Sequence, residues 1–110
     1  MTLQVSADNS VARRLRALAQ LYQQGQASEV MDRTLDKLLS YERDQSQAQL
    51  GELRADLVEF ERRYQMSSAD FYGRFRAGQT DDRMDFVEWA SLIQMTDNLQ
   101  ARLRLLAGEG

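Results

Sequence analysis

The chain has no cysteine, no histidine and no proline. Without cysteine there is no disulfide, no thiolate metal site and no thiol redox chemistry. Without histidine the usual zinc sites and the Ser-His and Cys-His nucleophile pairs cannot be assembled, and the side chain that most often moves protons near neutrality is missing. Carboxylates, arginines, hydroxyls and the single lysine, Lys37, remain. A glycosidase-like pair of facing carboxylates needs a cleft, and a chain of 110 residues made of helical hairpins is a poor frame for one. The expectation is a protein that is not an enzyme and that takes no cofactor. Long apolar runs are absent as well: no stretch approaches the roughly 18 residues of a membrane span. The start, Met1-Thr2-Leu3-Gln4-Val5, lacks the basic opening of a signal peptide. A cytoplasmic protein without a membrane partner is expected.

Hydrophobic residues make up 43% of the chain and charged ones 28%, too apolar a balance for a disordered segment, so the chain folds. At this length it is one compact domain or two very small ones, and burial against a partner adds to a limited core. The net charge of −3 provides no global field for nucleic acid, so any such contact is local. Residues 1–50 carry six charges of each sign, whereas residues 51–110 carry eleven acids against eight bases. The acidity sits in the second half.

Six glycines and no proline favour long helices with few stops. The exception is the start, where Thr2, Leu3, Gln4, Val5 and Ser6 alternate polar and apolar as a half-buried strand does. A lone strand leaves its backbone groups unpaired, and the candidate edge is the same strand of a second copy, which predicts a homodimer. Asp8, Asn9 or Ser10 then caps a helix with Val11, Leu15, Leu18 and Tyr22 on one face, ended at Gly25. A second helix begins near Ala27 or Ser28, carries Glu29 in its first turn, and shows Met31, Leu35 and Leu38 as its stripe. The polar residues 44–49 are either a linker or a solvated continuation of this helix. Leu50, Leu53, Leu57, Phe60 and Tyr64 follow at seam spacing. Ser67-Ser68-Ala69-Asp70 reads as a capping box before a short helix that stops at Gly78. A last helix over about 84–107 bears Phe86, Trp89, Ala90 and Ile93 as one patch, with Leu92, Met95, Leu99, Leu103 and Leu106 as a longer stripe. Two long helices with a short helical elbow between them fold back on each other.

A strand and two helices within some forty residues is the layout of a ribbon-helix-helix unit. Residues 2–43 resemble that family, in particular ParD-like and CopG-like antitoxins, most closely at Gly25, Ala27-Ser28-Glu29-Val30-Met31, Leu35 and Leu38-Leu39. They differ from the family's usual pattern at Asp32 and Thr34. The resemblance implies a mainly α fold in which residues 1–44 form a dimeric ribbon-helix-helix and 45–110 a helical hairpin with an elbow. It also implies a function: an antitoxin-type repressor that binds operator DNA through the ribbon and neutralises a toxin-like protein, with a ribonuclease as one candidate. In that arrangement Leu3 and Val5 enter the dimer core and Thr2, Gln4 and Ser6 face base edges, with Gln4 as the adenine reader. Ala27 and Ser28 at a helix start hold a phosphate, and Arg13, Arg14 and Arg16 approach the flanking backbone. Those arginines read equally as a solvated face, and Gln4 as a polar surface residue.

Residues 50–107 bear a weaker resemblance to short acidic proteins associated with small toxins. Phe71, Tyr72, Phe75, Phe86 and Trp89 gather five of the nine aromatics into about twenty residues, as partner anchors or as hairpin core. Asp81, Asp82, Asp85 and Glu88 do not have calcium-loop spacing. They read as capping and dipole charges, or as a patch facing a basic surface. The alternative to the repressor is a helical dimeric adaptor that does not bind DNA.

Overall fold

The computed structural model describes residues 3–108, with side chains from residue 9 onward. Four helices follow in order: α1 (Leu3–Gln23), α2 (Glu29–Tyr64), α3 (Ser68–Arg76) and α4 (Met84–Leu106). There is no strand among the described residues, and the ribbon-helix-helix assignment is corrected accordingly. Leu3, Gln4, Val5 and Ser6 belong to α1, while Thr2 lies outside the described residues. The reason lies in the period. Leu3 and Ala7 extend the Val11, Leu15, Leu18, Tyr22 stripe at helical spacing, so the two alternating residues Leu3 and Val5 compete with a pattern six positions long. Once in the helix, the carbonyls of this segment accept from N–H groups one turn further on, and the segment needs no second strand.

The helix ends follow local chemistry. At the end of α1, Gly25 adopts φ +69°, Gln26 N–H donates to Leu21 O at 2.8 Å and Gly25 N–H to Tyr22 O at 3.1 Å, which together form a Schellman cap. Gly78 (φ +72°) repeats it after α3, through Gln79 N–H to Arg74 O and Gly78 N–H to Phe75 O. Ser28 caps α2 by accepting from Met31 N–H at 3.2 Å, and Ser67 caps α3 by accepting from Asp70 N–H at 3.0 Å. Helix α2 runs unbroken through residues 44–49, so the continuous helix holds and the linker does not. Ser46 from that stretch is buried on the seam. No helix among the described residues is long and apolar enough to cross a membrane.

The chain divides into two compact units, Met1–Leu38 and Leu39–Gly110. In the first, Leu18, Leu21 and Tyr22 of α1 and Ala27, Met31 and Leu35 of the following segment are half-buried. The Tyr22 hydroxyl donates to Asp32 Oδ1 at 2.7 Å, so the two helices meet beside their connection. In the second, α3 and α4 enclose a core of Phe60, Phe71, Trp89 and Ala90 with the end of α2. Leu50 and Leu99, with Ser46 and Thr96, extend the buried seam along α2 and α4.

Candidate partner-binding site

Trp89 organises the second unit. It is 0% exposed, and Phe71, 1% exposed, lies parallel to it with ring centroids 4.0 Å apart. Phe60 stacks at 5.6 Å and Tyr64 at 5.8 Å. Aromatic faces in offset stacks gain about 0.5–1.5 kcal/mol per pair beyond the area they bury. The indole N–H, which is costly to bury without an acceptor, donates to Ser68 Oγ at 2.9 Å, and Ser68 N–H in turn donates to Glu61 Oε2 at 2.8 Å. A single relay thus joins α4, α3 and α2. Of the five aromatic candidates for partner contact, Phe71 and Trp89 are core, while Tyr72, Phe75 and Phe86 are half-buried around them. A side chain with no exposed surface cannot touch a partner while the unit stays folded.

The rim of this core is held by charge. Asp85 Oδ2 accepts from the Tyr64 hydroxyl and from Arg63 Nη1, the latter at 3.0 Å. The Tyr64 hydrogen bond, then the Arg63 one, hold the Asp85 carboxyl below the usual carboxylate range. Arg83 grips Asp81 with Nε at 3.0 Å and Nη2 at 2.9 Å, and the Asp81 carboxyl is lowered by that pairing and by the Arg83 backbone N–H. The Arg83 guanidinium also lies 4.8 Å from the Phe86 ring centre. Asp81 and Asp85 are thus occupied in closing the turn before α4.

At the other end of the seam, Arg102 donates to Ser46 Oγ at 3.2 Å and to Glu42, and Arg43 donates to Leu106 O at 3.3 Å, satisfying a carbonyl at the end of α4. None of these polar partners was anticipated from the sequence. Their signal was available: Ser46 and Thr96 sit seven residues from Leu53 and Trp89, so a seven-residue repeat passes through them. Two grooves flank the seam, one of 460 Å³ over Leu53, Met95 and Leu99, the other of 560 Å³ over Leu57, Tyr72 and Ile93.

The residues assigned to DNA are not brought together as a ribbon. Gln4 and Ser6 lie on α1 without described side chains, Thr2 is outside the described residues, and Arg13 is exposed on the same helix. Ala27 is half-buried in the connection. The Ser28 hydroxyl accepts from Met31 N–H, so that amide of the helix start is already taken.

The first unit lacks such an interior. Among described residues 9–38 no side chain is buried. Val11, Leu15, Val30 and Leu38 are 45%, 53%, 70% and 52% exposed. Val11 and Leu15 belong to the same stripe as Leu18 and Tyr22, and Leu38 continues Met31 and Leu35. The stripes are core-like in pattern, half-covered at Leu18, Tyr22, Met31 and Leu35 and uncovered at Val11, Leu15 and Leu38. Comparison with protein families, with curated proteins and with solved structures finds no match to this chain.

Proposed function

We propose that the chain is a non-enzymatic helical interaction protein: the second unit is a self-contained folded head, and the first is an incomplete hairpin whose core is finished by another protein surface. The observation that carries this reading is the contrast between an amphipathic pattern on α1 and the start of α2 and the absence of any buried side chain among residues 9–38. A polypeptide of about forty residues or fewer seldom holds a fold without a disulfide, a metal or oligomerisation. Composition rules out the first and removes the ligands of the commonest structural metal sites, because cysteine and histidine are both absent. Beyond the continuity of α2 with the second unit, protein burial is the remaining source of stability, and Val11, Leu15 and Leu38 are the surface it uses.

Site-specific photocross-linking in cells tests this. A photoreactive residue at Leu15 or Leu38 gives a discrete protein adduct, whereas one at Arg54, exposed on the second unit, does not. No adduct from either apolar position, with full-length chain present, contradicts the reading.

A further inference from the structure

The α2 and α4 pair of the second unit has two flanks, and α3 covers one of them. The groove over Leu57, Tyr72 and Ile93 is lined by α3 as well as by α2 and α4, whereas the groove over Leu53, Met95 and Leu99 is lined by α2 and α4 alone. A further cleft of 320 Å³ lies between the same two helices, and Asp56 lines both, so the open flank is one groove from Asp85 to Arg102. At 1.5 Å per residue that stretch of α4 is roughly 25 Å long, which suits a helix of about five turns. On α4, Met84, Glu88, Ser91, Met95 and Asn98 recur at four, three, four and three residues and share one face. Met95 and Asn98 of that set line the groove, and Met84 and Met95 are 74% and 49% exposed. Unbranched thioethers held in water gain by burial and adapt to apolar side chains of different shape. Glu52, Asp56 and Glu88 stand on the walls, all exposed and none in an ion pair among the described residues. The other charges of the groove are engaged: Asp85 with Arg63, Glu59 with Arg62, and Arg102 with Glu42. What remains uncompensated is negative.

We propose that this groove receives a basic amphipathic helix of a partner protein. Its apolar stripe lies over Leu53, Met95 and Leu99, and its Lys or Arg flanks meet Glu52, Asp56 and Glu88. A helix meets both demands at once, because anchors at three and four residues fit between two packed helices while the flanking positions reach the walls. A second copy presenting the same flank brings the same three carboxylates against these and is disfavoured by like charge. The groove belongs to the second unit alone, so the proposal is independent of the leucines left uncovered on the first.

Titration of the purified full chain with a helical leucine–lysine peptide of about eighteen residues, read by calorimetry and by amide NMR shifts, tests this. The peptide binds and shifts the amides around Asp56, Glu88 and Met95, whereas its leucine–glutamate counterpart does not bind. Glu52→Lys with Asp56→Lys weakens binding at least about tenfold, while Asp44→Lys with Asp97→Lys, an equal change in net charge away from this groove, weakens it less than about twofold. Met84→Ser with Met95→Ser also weakens it severalfold without lowering the thermal midpoint, because both side chains are exposed in the free chain. Equal weakening by the two lysine pairs, or indifference to the methionine pair, means that the peptide is held by net charge alone and overturns the proposal, as does no binding. A dimer of the free chain that Glu52→Lys with Asp56→Lys splits puts a second copy in the groove and also overturns it. Shifts confined to residues 9–38 overturn it as well, while leaving the reading of the first unit in place.

Discussion

Both units are made of amphipathic helices joined by glycine caps, yet only Leu39–Gly110 has an interior. The difference is the third element and what it carries. Helix α3 brings Phe71 onto Trp89, and Ser68 supplies the acceptor that lets the indole be buried. Eight of the nine aromatics lie in the second unit, and Tyr22 alone lies in the first. Two helices can cover each other along one line only, so each leaves half of its stripe in water. A third helix turns a seam into a core; the first unit lacks one and leaves its leucines uncovered.

The comparison is sharpened most strongly at Trp89. Trp89→Ala removes the centre of the aromatic stack and is expected to cost about 3–5 kcal/mol, read as a lower denaturation midpoint by circular dichroism. Next, Leu50→Ala in the second unit is expected to cost about 2–4 kcal/mol, whereas Leu15→Ala costs under about 1 kcal/mol in a dilute monomer because that side chain is already half in water. Equal losses at the two leucines break the distinction between the units. Smaller is the pair Gly78→Ala and Gly25→Ala. Each φ is positive and a Cβ meets nothing within 4 Å, so the cost is conformational alone, about 1 kcal/mol in each unit. A larger loss at either position points to packing that the structure does not show.

The smallest effect is in pH, and its sign separates the units. Asp85 has a folded-state pKa below its unfolded value, so its contribution is complete above about pH 4 and is lost as pH falls through the folded value. Wild-type therefore loses more thermal stability on acidification than Asp85→Asn does. Tyr22 behaves oppositely. Its hydrogen bond to Asp32 raises its pKa, so its contribution is present below about pH 10 and is lost as pH rises through the folded value. Tyr22→Phe removes that alkaline step and leaves the acid one.

Much of the second unit was legible in sequence. The Ser67 cap, the stop at Gly78, and the seam from Leu50 to Tyr64 all follow from spacing and local chemistry. The start was misread because Thr2 to Ser6 alternates over five residues whereas the stripe from Leu3 to Tyr22 keeps helical spacing over twenty, and the longer pattern prevails. The uncovered state of Val11, Leu15 and Leu38 could not be read at all, since periodicity marks which residues want covering and is silent on whether anything covers them. Pattern likewise named the aromatics of residues 71–89 without deciding between core and surface; a 4.0 Å parallel stack decides it for Phe71 and Trp89.

Native-state hydrogen exchange at two protein concentrations tests the central claim most directly. If α1 is completed only by another protein surface, amides of residues 9–23 exchange much faster than those of residues 89–99 in the purified chain at the lower concentration. Amides of α1 protected as strongly as those of α4 in a dilute monomer would show that the first unit is complete by itself.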